Sequence, residues 1–211
     1  RQGSLVAGWS PERGGSRVTP RVERLPVQHG GVTFEVKVAG RGFPVVFFHS
    51  FDGLSGWPDF LARLAERHTV FAPLHPVAGD GVESLDDGVD LTLAYDELFT
   101  ALGVRSAHLV GHFFGGMVAA ELAALFPARA EKLVLISPMG LWLDSAPVAD
   151  ALSLPSEELA PLLWEDPDSP AARAWAAEPA DEEARAAAQI TAIQRLAAVG
   201  RFIWPIPDKG L

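Results

Sequence analysis

Apolar and polar residues alternate at a period of two along "RVERLPVQ" (21–28) and "VTFEVKV" (32–38), with His29, Gly30 and Gly31 between them. That pattern predicts two strands joined as a hairpin. The period then changes. "FPVVFFHS" (43–50) is a continuous apolar run of the kind found in strands covered on both faces, and "TVFAPL" (69–74), "SAHLVGH" (106–112) and "EKLVLIS" (131–137) share its character. Helical spacing fills the intervals. Trp57, Leu61 and Leu64 share one face over 57–66. A second helix over 91–102 follows Asp90 as its cap and ends at Gly103, and a third over 114–126 carries Val118, Leu122 and Leu125 and stops at Pro127.

Strands that alternate with helices in this way predict an α/β fold: a mostly parallel sheet built by right-handed crossovers, with helices on both faces. Ligand sites in such sheets lie beyond the carboxyl ends of the strands. The segments to inspect are therefore 49–53, 73–81, 112–116 and 138–144. From about Ser145 the strand pattern stops and helical segments follow. "PSEELAPLLW" predicts one helix and "SPAARAWAA" a second, with Ser169 as cap and Pro170 at its first position. "DEEARAAAQITAIQRLAAVG" predicts a long third that ends at Gly200. Ile190, Ile193 and Leu196 to Ala197 form a stripe expected to pack onto the rest of the domain.

The chain has 211 residues, 48% of them hydrophobic and 21% charged, which is a globular composition and suits one domain with an insertion. Its formal net charge of -10, with no cluster of Lys and Arg, argues against nucleic acid and anionic membrane as partners. Cysteine is absent, so disulfides, thiolate nucleophiles and Cys-ligated zinc are excluded. The apolar stretch "LVLISPMGLWL" is too short and too interrupted to span a bilayer, and a cytoplasmic location is the default expectation. Residues 1–20, rich in Gly, Ser, Arg and Pro, read as a flexible tail. Residues 205–211 read as the start of a return to a core segment that does not follow, so the core is expected to be C-terminally incomplete.

"VGHFFGG" (110–116) concentrates the candidate chemistry. A strand, a tight turn and a helix in that order are the setting of a nucleophile elbow, in which one strained residue lifts its side chain into an active site. The residues two before and two after it must be small, and here they are Gly111 and Gly115, with Gly116 allowing close helix packing. The lifted residue is Phe113, which has no nucleophilic atom.

With those residues in view, the chain resembles the α/β-hydrolase superfamily, in its cap-bearing branch of small-molecule esterases and carbon–carbon bond hydrolases. The resemblance runs from Arg21 to the end of the chain, through "FFHSFDGLSGWPDFLARLAERHTVFAPLHP" and "VGHFFGGMVAAELAALFPARAEKLVLISP". It implies a hydrolase core over 21–144 and a helical cap over 145–204. It places Phe113 where the family has its nucleophilic Ser. It also implies an oxyanion hole from the N–H groups of Phe114 and Phe51, with Ser50 in place of the usual Gly, and structural roles for His49 and His112 beside the elbow.

In the family, the acid and the His follow the nucleophile, the last two usually after the cap. No histidine occurs after His112, and Asp144 is at most an alternative acid position. A Ser–His pair drawn from Ser50, Ser137, His49 and His112 is the less favoured substitute. His108 and His112 are four apart on a strand and its turn rather than on a helical face, so no metal site is expected. The glycines at 111, 115 and 116 do not make a dinucleotide fingerprint, and no cofactor is expected. Three readings stay open: a small-molecule ester hydrolase with position 113 altered and the chain inactive as it stands, a ligand-binding pseudoenzyme, and one half of a split protein completed by a partner chain. If the family's final strands are absent, "KLVLIS" becomes an open edge and self-association is expected.

Overall fold

The computed structural model describes residues 19–54, 56–141, 143–145, 154, 156–177, 179 and 181–203. The expected tail over 1–20 falls almost wholly outside these residues, as does 205–211. Six strands form one sheet: β1 (Arg21–Pro26), β2 (Thr33–Gly40), β3 (Phe43–Phe48), β4 (His68–Pro73), β5 (Ala107–His112) and β6 (Ala130–Ile136). They lie in the order β1-β2-β4-β3-β5-β6. The hairpin and the β2–β4 pair are antiparallel, and β3 pairs in parallel with both β4 and β5. β5 and β6 are also parallel. The sheet is therefore mostly parallel.

β3 is central, and alternate residues of its apolar run feed two cores. Val46 and Phe48 join Phe34, Tyr95, Leu98, Leu109 and Leu122 on one face. That face is covered by α2 (Gly88–Ala101) and α3 (Phe114–Leu125). Val45 and Phe47 join Val70, Ala72 and Leu61 on the other face, beneath α1 (Asp59–Ala65). Trp57 and Leu64 pack at the margin of that second core.

One helix boundary and one packing position differ from the sequence expectation. The cap of α2 is Asp87, whose carboxylate accepts from the N–H groups of Val89 and Asp90, at 2.8 and 3.1 Å. Asp90 instead sits in the first turn, where it accepts from the Asp86 N–H and meets His29 Nε2 at 3.1 Å. Helix α3 buries Val118 and Leu122, but Leu125 is 46% exposed.

Three helices follow: α4 (Ser156–Leu163), α5 (Pro170–Ala176) and α6 (Glu182–Ile203). Ser169 caps α5 through the Ala172 N–H, with Pro170 at the first position. Helix α6 passes through Gly200 instead of ending there, because Phe202 continues its packing face. The expected stripe is also turned: Ile190 and Ile193 are exposed, and Ala198, Val199 and Phe202 are the residues that enter the core. No helix among the described residues is long and apolar enough to cross a membrane.

Candidate functional site

Phe113 is the residue between β5 and α3, with φ 52 and ψ -113. A β-carbon at positive φ crowds the backbone and costs about 1–3 kcal/mol, which the surroundings must enforce. They do so through four hydrogen bonds. The Phe113 N–H donates to Ile136 O at 3.0 Å, and its carbonyl accepts from the Gly116, Met117 and Met139 N–H groups at 2.9, 3.2 and 3.0 Å. The turn is therefore pinned to the end of β6 on one side and to α3 on the other. Its side chain is half-buried, with the ring 5.5 Å from that of Phe51.

The flanking glycines are required by contact. A β-carbon on Gly111 would meet Gly115 O and Gly116 Cα, and one on Gly115 would meet the carbonyl oxygens of Phe48 and His49. The first turn of α3 thus rests directly on the end of β3. Gly115→Ala is expected to destabilise the fold by about 2 kcal/mol, since both obstacles are backbone atoms of central elements. Urea denaturation checks this, and an unchanged midpoint would contradict the close approach.

The N–H groups of Phe51 and Phe114 donate to no acceptor among the described residues. Phe114 stands in the first turn of α3, where backbone donors have no partner within the helix. Its side chain points the other way, fully buried, with its ring 4.9 Å from His75 and 6.5 Å from Phe202. Through that last contact α6 is tied to the elbow.

His49 and Ser50, both buried, follow β3. His49 Nδ1 bonds Ser50 O at 2.6 Å, and its Nε2 receives the His75 N–H at 3.1 Å. His75 returns the contact: its Nε2 bonds His49 O at 2.8 Å, while Nδ1 faces the Tyr95 hydroxyl at 2.6 Å. A carbonyl accepts and an amide donates, so the network assigns the protons. His49 carries its proton on Nδ1 and His75 on Nε2, and the Tyr95 O–H donates.

Both rings are then neutral with every nitrogen used. Burial, reinforced by the neighbouring His75, holds His49 well below the usual imidazole range. Burial pushes His75 down to about 4 and the Tyr95 phenol well above its ordinary value. Neither histidine has a free nitrogen with which to act as a base. This network joins the loops after β3 and β4 to α2. Its His75 and Tyr95 were not singled out by sequence, since nothing local marks a pairing across 20 residues.

His112 departs from the expectation of a structural role. Its side chain is exposed and makes no hydrogen bond among the described residues. Ser137 is also exposed, at φ 42, and Asp144 is exposed. Among the described residues no group of three or more His, Asp or Glu side chains is arranged to hold a metal ion.

Beside the elbow lies a cavity of about 230 Å³, between α6 and the loops after β3 and β4. Phe51 forms part of its wall, and Phe113 does not.

A family model for the alpha/beta hydrolase fold matches residues 44–193. RutD of Azorhizobium caulinodans, named for carbamate hydrolysis, is 30% identical over 119 residues, covering 54% of this chain and 44% of its own length. A 2-hydroxymuconate semialdehyde hydrolase of Pseudomonas sp. strain CF600 is 30% identical over 129 residues, covering 58% of this chain and 44% of that protein. This chain therefore spans less than half the length of either relative. Among solved structures, a bacterial membrane phospholipase A superposes with a TM-score of 0.63 at 19% identity, over 90% of this chain and 63% of that one. This likeness extends to the fold alone.

Proposed function

This chain belongs to the alpha/beta hydrolase fold family, and on that premise we propose that it keeps the frame of a small-molecule ester hydrolase without performing hydrolysis. The observation that carries the reading is Phe113. It occupies the strained turn between β5 and α3, held there by four backbone hydrogen bonds, and presents a hydrocarbon ring where acyl transfer needs an oxygen or sulfur nucleophile. The surrounding parts are retained. Two N–H groups without an acceptor among the described residues, those of Phe51 and Phe114, are the candidates for an oxyanion hole.

Among the described residues, the buried histidines beside the turn do not supply a base. His49 and His75 are committed to backbone and Tyr95 partners. A fluorophosphonate probe, which reacts with activated serines, tests the reading. Intact mass is expected to show no adduct, and a stoichiometric adduct on any serine would overturn it.

We also propose that β6 mediates self-association. Among the described residues β6 pairs only with β5, and Leu133, Val134 and Ile136 are 40–48% exposed. An apolar strand with an open row of backbone donors and acceptors is a template for a second strand. Sedimentation velocity is expected to show a mass that rises with concentration. Val134→Lys is expected to shift that rise to roughly tenfold higher concentration, because a charge on an edge opposes pairing. A monomer at all concentrations would contradict the proposal.

A further inference from the structure

We propose that the cavity between α6 and the loops after β3 and β4 binds a small zwitterion, an amine and a carboxylate joined by a short aliphatic spacer. The amine is seated on Glu35 and the carboxylate on Arg195.

Charge on the cavity wall carries the inference. Four formally charged side chains line it: Arg24, Glu35, Asp80 and Arg195. Arg24 stands opposite Glu35 in the β1–β2 register but turns its Nη2 to Asp80 Oδ1, at 3.1 Å. Glu35, half-buried on β2, has no hydrogen-bond or ion-pair partner for its carboxylate among the described residues. Arg195 donates from Nη1 to the backbone carbonyl of Asp52 at 2.7 Å and meets no carboxylate. One negative and one positive group thus face the same space without touching each other. A partly buried charge without a partner is unfavourable, and a ligand bearing both complementary charges relieves two such groups at once.

The cationic end is fixed in advance. Gly53, at φ 91, lets the guanidinium lie on its backbone, and a β-carbon there would come within 2.7 Å of Arg195 Cζ. With the Asp52 bond, this holds the planar fork before any ligand arrives, which lowers the entropy cost of binding. His49 and His75 reach the cavity as neutral rings and add no charge.

Size and polarity set the rest of the ligand. At about 230 Å³ the cavity is smaller than the roughly 300–1,000 Å³ that drug-sized molecules occupy. Leu54, Leu74, Val77, Ala198 and Val199 also line the wall and suit methylene groups. Phe51 separates this space from Phe113, so binding and hydrolysis can be tested independently.

The experiment is isothermal titration of the intact chain with β-alanine, 4-aminobutanoate, 5-aminopentanoate and 6-aminohexanoate, with pentylamine and hexanoate as singly charged controls. At least one amino acid is expected to bind with a Kd of about 1 mM or tighter, and both controls about tenfold more weakly or worse. Glu35→Gln keeps the shape of the side chain and removes its charge, and it is expected to weaken the best ligand by about tenfold or more. Thr191→Trp fills the mouth from an exposed position on α6 without altering either charge, and is expected to abolish binding. The proposal is overturned if no member of the series binds, if a control binds as well as the amino acids, or if either variant, folded by circular dichroism, binds like the parent.

Discussion

Against p-nitrophenyl butyrate the chain is expected to turn over about a millionfold more slowly than a serine hydrolase with its nucleophile and base in place. What residual rate remains would come from the two N–H donors beside position 113 and from substrate binding alone. The informative variant is Phe113→Ser. The turn is fixed by backbone bonds to Ile136, Gly116 and Met139 rather than by the Phe113 ring, so a serine fits there without redrawing the elbow. Even so, its rate is expected to stay within about tenfold of the parent. Nucleophile and base act as a unit, and supplying one without the other recovers little of their joint effect. Both buried histidines near the site have their ring nitrogens engaged, and His112 is exposed on the strand side of the turn. Recovery of a thousandfold or more in Phe113→Ser would show that a base reaches position 113, and would overturn the assignment of His49 and His75 to structural roles.

The sheet was legible because each of its strands announces itself locally. A run such as "PVVFF" has few alternatives to a strand covered on both faces, and the glycine spacing around Phe113 has few alternatives to a tight strand-to-helix turn. Features that depend on partners distant in sequence were not legible. Asp90 looked like the cap of α2, but the capping oxygen belongs to Asp87, because the chain enters the helix three residues earlier and Asp90 is drawn toward His29. Ile190 and Ile193 looked like the packing face of α6. Register against the core decided otherwise, and Ala198, Val199 and Phe202 are the buried residues, with the Phe202 ring stacked on that of Phe114. Likewise Glu35 and Arg195 lie 160 positions apart, and only the closure of α6 over the loops brings them to one cavity. The glycines show the boundary clearly. The need for small residues at 111 and 115 follows from the turn itself, whereas that at Gly53 follows from an arginine on the far side of the chain.

Acid is expected to unfold this chain earlier than its surface ion pairs alone would require, and the cause is the buried His49–His75–Tyr95 network. Above pH 6.5 the imidazole of His75 is neutral in both folded and unfolded chains, and folding costs no proton. Between pH 6.5 and about 4 the unfolded chain takes up a proton that the folded chain refuses, because a charged ring would lie buried and would lose the bond it accepts from Tyr95. Stability therefore falls as pH falls through this window. The folded value of about 4 against an ordinary 6.5 corresponds to a loss of about 3 kcal/mol by pH 4 from His75 alone. His49 is held low by the same burial and adds a loss of the same sign. A marginally stable domain has only about 5–15 kcal/mol in total, so the effect is large enough to bring unfolding into a mildly acidic range. The measurement is the urea unfolding free energy from pH 7.5 to 4.5 for the parent and for His75→Gln. The variant is expected to be less stable at pH 7.5, where it lacks part of the network, and to lose less on acidification. Parallel curves for the two proteins would mean that His75 takes up its proton over the same pH range in the folded and unfolded chains, and that its burial does not set the acid limit. The neutral state assigned to the His75 ring would then fail, while His49 would keep Nδ1 on the Ser50 carbonyl and Nε2 on the His75 amide.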